Sequence, residues 1–236
     1  MRKRLLIATP IVVLAVAIAL WQVSNSRTFQ FAGKIVPRVI TSEKIVALTF
    51  DDGPTKSGTD EILKALQQKN VKATFFVTGS ELDQNMSEAQ KIVAAGHELG
   101  NHSYSHVRMV LVTPSFVRHE IEKTDRLIRE AGFKGEINFR PPYGKKLLAL
   151  PYYLSKTGRK TIMWDVEPDS DHETSKESNR IIEETRAQVR PGSIILLHAM
   201  YPSRHQSLKA VPGIIENLQR EGYRFVTVGE LLAAGN

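Results

Sequence analysis

Two neighbouring carboxylates, Asp51 and Asp52, stand in Thr49-Phe50-Asp51-Asp52-Gly53-Pro54, at the end of an apolar run and just before a Gly-Pro turn. Adjacent side chains diverge, so one carboxylate can bind a metal while the other faces substrate as a general base. An Asx-turn is the plain alternative for Asp-Gly-Pro, and the hexapeptide by itself does not choose between turn and site. Two imidazoles follow in His102-Ser103-Tyr104-Ser105-His106, close enough to share one cation from a single helical turn or a tight loop. Two His and one Asp make three ligands with open positions for water and substrate, as catalytic zinc requires; cobalt and nickel also fit. His97-Glu98 invites a zincin reading, but the next histidine is His102, and the zincin pattern needs one position fewer.

Further along, Arg140-Pro141-Pro142-Tyr143-Gly144 fixes an arginine before a stiff loop. Near Asp51 it would lower that base's pKa and hold its orientation. Pro141 and Pro142 have no N–H, which leaves Tyr143 N–H to stabilise a developing oxyanion; a rigid connecting loop is the plain alternative. His198 ends the apolar run Ile194-Ile195-Leu196-Leu197, and as imidazolium it could protonate a leaving amine. It would need a carboxylate to keep its pKa high, and Asp165, Glu167 and Asp169 are the candidates. Phe75, Phe76, Tyr223 and Phe225 read as core, and His119, His172 and His205 as surface.

Short β-branched runs alternate with helical patterns. Strands are expected at 45–50, 73–77, 137–140, 161–166, 193–198 and 224–228, and helices at 60–69, 87–95, 114–131, 178–189 and 208–221. Such alternation predicts parallel strands with helices outside. Asp51, His102, Arg140, Trp164 and His198 each follow an expected strand or connection, as at the C-terminal mouth of a TIM-like barrel. A doubly wound sheet would gather them near one switch point. Gly53 stands alone after the first strand, so nucleotide binding has no support.

The composition suits one globular domain, with 42% hydrophobic and 24% charged residues among 236. Arg2, Lys3 and Arg4 precede an uncharged apolar run over 5–21, which reads as a signal anchor or signal peptide at 1–26, the retained anchor being favoured. A stalk or linker is expected at 27–43 and a catalytic domain at 44–236. Without cysteine there is no disulfide framework, and a metal must be held by His and carboxylates. A net charge of +7 favours anionic surfaces; the scattered basic residues argue against nucleic acid.

These blocks, in this order, resemble the polysaccharide deacetylases of carbohydrate esterase family four, whose catalytic unit is the NodB-homology domain. The resemblance spans about 44–232 and is carried by TFDDGP, His102-x-x-x-His106, Arg140-x-Pro-Tyr143 and Leu196-x-His198, with KATFFVTG, GHELGNHSYSH and GYRFVTVGELL between and after them. It implies a distorted barrel of about seven parallel strands. It implies Asp51 as catalytic base; Asp52, His102 and His106 as ligands of one divalent ion, zinc first and cobalt or nickel as alternatives; Arg140 orienting Asp51; Tyr143 N–H in the oxyanion site; and His198 as general acid. Water activated by the metal and Asp51 would attack the acetamide carbonyl, and His198 would protonate the departing amine. Tyr143, Trp164 and Leu196 would line the substrate pocket. The family's fourth motif, D-x-x-D-W, is altered here to Trp164-Asp165-Val166-Glu167-Pro168-Asp169-Ser170-Asp171. Aligned on Trp164, it gives Glu167 the task of tuning His198 and lacks the second tryptophan.

The implied activity is removal of acetyl groups from N-acetylglucosamine or N-acetylmuramic residues of a peptidoglycan-type glycan, at the outer face of the membrane or in the wall, by a monomer. A chitin-oligomer deacetylase or a xylan O-acetyl esterase would use the same site. A weakened wall-binding protein is the expectation of another class.

Overall fold

A computed structural model describes residues 2–235, and the side chains of residue 10 and of 12–235. The chain runs α1 (Arg2–Asn25), β1 (Ile35–Val36), β2 (Ile45–Asp51), α2 (Thr59–Gln68), β3 (Thr74–Val77), α3 (Gly79–Gln84), α4 (Met86–Ala94), β4 (Glu98–Asn101), α5 (Pro114–Glu130), α6 (Ala149–Lys156), β5 (Thr161–Ile162), α7 (Ser178–Gln188), β6 (Ile194–Leu197), α8 (His205–Arg220), β7 (Arg224–Val226) and α9 (Val228–Ala234).

Every named strand pair is parallel, as strand–helix alternation requires. β2 lies at the centre between β3 and β6. Ala47 pairs with both Ile194 and Val226, so β7 must use the edge of β2 that β3 occupies further along. From β4 the pairing continues through Phe139 to β5, while Val166 bridges to Ile195 of β6. The path from β2 through β3, β4, Phe139, 161–166 and β6 returns to β2, which is a small, irregular barrel.

β2 is buried along its whole length, because both of its faces are covered. Val46, Leu48 and Phe50 enter the layer beneath the helices with Ile62, Leu66, Ile214 and Leu218. Ile45 and Ala47 pack on the other side with Phe76, Ile162, Trp164 and Leu196. Side chains alternate along a strand, so Thr49 and Asp51 share the inner face of Ile45 and Ala47. That parity aims Asp51 into the barrel mouth. Among the helices, α5 has Thr113 as its N-cap, whose Oγ1 accepts from Phe116 N, with Pro114 in the first turn.

Several elements depart from the sequence expectations. The strand expected at 137–140 is reduced to bridges at Phe139, since Pro141 and Pro142 end its supply of N–H donors. The one at 161–166 is regular only at β5. β4 reads Glu-Leu-Gly-Asn, too polar to announce a strand, yet its Glu98 is buried on Asn138 Nδ2 (3.0 Å) and Gly229 N (2.8 Å). The stretch 27–43 is packed on the domain instead of standing off as a linker: β1 pairs with β5, and Arg38 Nη1 donates to Pro191 O at 2.8 Å. The expected signal anchor at 1–26 falls partly outside the described side chains. Among the described residues no helix is long and apolar enough to cross a membrane.

Candidate active site

Asp51 sits at the end of β2, nearly inaccessible to solvent, with Arg140 beneath it. Arg140 Nη1 donates to Asp51 Oδ1 (2.5 Å) and to Thr49 Oγ1 (2.8 Å), and Nη2 donates to Met163 O (3.2 Å). The guanidinium is fully buried and lies 4.0 Å from the centre of the Phe76 ring. A pair removed from water in this way fixes the carboxylate's direction. Burial pushes the Asp51 carboxyl above its ordinary range, and Arg140 opposes that shift without cancelling it. The sequence expectation was the reverse: a net lowering by the arginine. Desolvation wins because the strand end is enclosed on all sides, and a carboxylate of raised basicity is better suited to take a proton from water.

Asp52, His102 and His106 bring one donor atom each into a cluster whose members lie within 4.8 Å of one another. His102 Nδ1 donates to Arg140 O at 2.8 Å, since a carbonyl can only accept, and this leaves Nε2 as the free lone pair. Burial drives the His102 pKa down to about 3, so the ring is neutral, as a ligand must be. His106 Nε2 is 3.3 Å from Asp52 Oδ1. An Asp-His-His set with one ring pinned by a backbone carbonyl fits a divalent cation. The two histidines use a tight loop, not a helical turn: Ser103 and His106 have φ of 66° and 55°. Asp52 (73°) and Tyr143 (57°) are likewise left-handed, so four site residues carry backbone strain of the kind that gathers at functional sites.

The loop is held from below by Glu120, unnoticed in the sequence. Its Oε2 accepts from Tyr104 N (3.1 Å), Ser105 N (2.8 Å) and Ser105 Oγ (2.9 Å). Glu81 does the same for the turn after β2, accepting from Gly53 N (2.6 Å), Thr78 Oγ1 (2.8 Å) and Tyr201 Oη (2.5 Å). No motif marks either glutamate, because each acts through contacts distant in sequence. At Gly79 a Cβ would stand 2.4 Å from Tyr104 Cδ2, so only glycine lets α3 approach the histidine loop.

Backbone bonds from Gly144 N to Pro141 O and from Lys145 N to Pro142 O close the turn without using Tyr143 N–H. The Tyr143 ring packs 4.6 Å from that of His106. His198 is paired with Asp169, not with Glu167. Asp169 Oδ2 accepts from His198 N (2.7 Å) and Ser207 Oγ (2.8 Å), and Oδ1 lies 3.4 Å from His198 Nδ1. Burial alone would depress the imidazolium, but Asp169, then Asp51 and Asp52, overcome it and raise the pKa to about 9. Glu167 turns the other way, accepting from Trp164 Nε1 (2.7 Å), Ser170 Oγ (2.7 Å) and Arg27 Nη2 (2.5 Å). Pro168 redirects the chain between the two acids, which motif alignment could not foresee.

One cavity of about 620 Å³ joins Asp51, Asp52, His102, His106 and His198 with Tyr143, Trp164 and Leu196, and Glu167 lies on its rim. Asn25, Arg27, Lys145 and Arg204, none singled out in the sequence, also line it. His97 stands apart: it accepts from Ala73 N through Nδ1 and packs edge-on to Phe75, a core histidine.

A mouth with a buried base beside cation donors and, across from them, a charged imidazole can activate water and discharge an amine or alcohol; the class is that of a hydrolase removing acyl groups. The polysaccharide deacetylase family model matches residues 38–162. A peptidoglycan-N-acetylglucosamine deacetylase of Bacillus cereus is 32% identical over 200 residues, covering 85% of this chain and 93% of that protein. A chitooligosaccharide deacetylase of Bradyrhizobium is 32% identical over 204 residues, covering 81% and 92%. The crystal structure of a peptidoglycan N-acetylglucosamine deacetylase bound to an N-oxidanyl-benzamide superposes with a TM-score of 0.78 at 31% identity, over 82% of this chain and 90% of that one. The chain belongs to the polysaccharide deacetylases of carbohydrate esterase family four, and is a hydrolase acting on amide bonds.

Proposed function

We propose that the protein removes acetyl groups from N-acetylglucosamine or N-acetylmuramic residues of a peptidoglycan-type wall glycan, releasing acetate. The observation that carries this reading is the convergence, in one cavity, of Asp51 on Arg140, the Asp52-His102-His106 trio and His198 on Asp169. Asp52, His102 and His106 would hold the divalent ion, zinc by preference, which when bound supplies a Lewis acid for the acetamide oxygen and for water. Asp51 takes the proton of the attacking water, and Arg140 keeps its free oxygen aimed into the pocket. Tyr143 N–H faces the oxygen that becomes negative. His198, charged at neutral pH through Asp169, gives its proton to the departing nitrogen. Trp164 and Leu196 form apolar walls for the sugar and acetyl groups.

The relatives favour wall glycan, and chitin-type oligomers are the second reading because one relative is named for them. Arg2, Lys3 and Arg4 ahead of the apolar run support export with the N-terminus kept as an anchor, the catalytic part of the chain acting as a monomer on the outer face. The substrate is tested by supplying zinc and comparing acetate and new free amines from peptidoglycan, N-acetylglucosamine oligomers and acetylated xylan. Amines on the first two support the reading; acetate from xylan alone contradicts it.

A further inference from the structure

The wall of the catalytic cavity that faces Trp164 is not built by the strand ends. It comes from the last residue of α1, Asn25, and from Arg27 just beyond it. Lys146 N donates to Ser24 O at 3.2 Å, and the buried Lys146 ammonium donates to Ser26 O, so a cation caps the carbonyl end of α1 and fixes the chain there. Ser24 is buried, and Asn25 and Arg27 open onto the cavity. Arg27 lies outside the residues matched by the family model, so no shared motif accounts for it.

Its guanidinium stands 4.7 Å from the centre of the Trp164 ring and donates through Nη2 to Glu167 Oε2 at 2.5 Å. Glu167 is itself oriented by Trp164 Nε1 and Ser170 Oγ. The guanidinium is thus held over the Trp164 ring and by a carboxylate at one nitrogen, while its side chain stays 44% exposed. Among the described residues none accepts from Nε or Nη1, which leaves these donors for a carboxylate. The rest of the rim adds to the charge. Glu167 is answered by Arg27, and Asp51 by Arg140. Lys145 and Arg204 have no carboxylate within ion-pair distance among the described residues; Arg204 Nη1 donates only to the Asp169 carbonyl, at 3.2 Å. Asp52 is the one other acid of the lining and sits in the Asp-His-His trio, so a neutral acetamido sugar would leave Lys145 and Arg204 unanswered.

We propose that Arg27 is a specificity-determining residue that selects glycans carrying a free carboxylate on the acetylated sugar or on its immediate neighbour. This rests on the deacetylase reading above and narrows its substrate.

The test uses the full chain with zinc and three soluble probes: neutral N-acetylglucosamine oligomers, stem-peptide-free glycan fragments whose muramic residues bear the lactyl carboxylate, and the same fragments with that carboxylate reduced to an alcohol. KM, kcat and the dissociation constant are measured for the unchanged protein, Arg27→Ala and Arg27→Lys. The expected result is a tenfold or greater rise in KM and dissociation constant for the acidic fragment in Arg27→Ala, with kcat held. Values for the neutral and reduced probes stay within about twofold, and Arg27→Lys restores part of the loss. An equal loss on all three probes would mean a merely structural wall and would overturn the proposal, as would no change on any. If no probe is deacetylated, the activity reading fails; the dissociation constants still decide whether Arg27 discriminates the carboxylate.

Discussion

Asp169 and Glu167 are two residues apart, yet they perform unrelated tasks, and the difference is visible only in their partners. Asp169 is buried against His198 and Ser207, whereas Glu167 faces Trp164 and Arg27. Asp169→Asn is expected to lower kcat by about 10²-fold, within the usual range for general acid–base catalysis, while Glu167→Gln leaves the alkaline limb in place. The His198 pKa is raised from 6.5 to about 9, so activity needing its proton should decline as pH passes 9. In Asp169→Asn that limb should move toward 6.5. The same shift carries a stability contribution that is full below pH 6.5 and lost as pH rises through 9; thermal melts across that window, with and without Asp169, check it. Asp51 with Asp52, and His102 with His106, stand out in the sequence as local pairs, and Arg140 and His198 as polar residues at the ends of expected strands; the structure brings all six together. The partner of His198 was not legible there, since the irregular segment after Val166 has no periodicity from which to read a direction.

At the scale of elements, β2 was readable from its β-branched and apolar residues, and α2, α4, α5, α7 and α8 from their helical periods. Elements whose stability comes from tertiary partners were missed. β4 owes its place to pairing with β3 and to buried Glu98, and β1 to pairing with β5. The end of α1 is a third case. Only the fold shows that buried Lys146 seizes its terminal carbonyls, with burial, and Lys145 in addition, lowering that ammonium's pKa to about 8. Lys146→Met should release the segment Ser24–Arg27. Its amides should lose hydrogen-exchange protection and KM should rise, with the protection of β2 and β3 unchanged. Glu120→Gln should act similarly on the histidine loop, weakening zinc affinity by about 10- to 100-fold, as loss of a ligand's support typically does. Zinc titration by calorimetry reads this directly.

For the whole molecule, the barrel explains why residues from five separate stretches reach one cavity: parallel strands all end on the same side, and the chain's alternation of strand and helix already implied as much. Irregularity was not implied, because closure at Phe139 and Val166 uses single bridges that no propensity marks. A cation held by Asp52, His102 and His106 would link site to stability. At a zinc concentration about 100-fold above its dissociation constant, the expected stabilisation would be about 2.7 kcal/mol, or roughly 5–11 °C in Tm for a domain of this size. Chelation should remove both that increment and activity, and zinc should restore both. The most direct test of the central claim is acetate release from peptidoglycan and from N-acetylglucosamine oligomers by the zinc-loaded full chain beside Asp51→Asn. The account predicts release by the unchanged protein and a loss of at least about 10²-fold in the variant, with zinc still bound through Asp52, His102 and His106. Undiminished release by Asp51→Asn, or none by the zinc-loaded protein from either glycan, would contradict it.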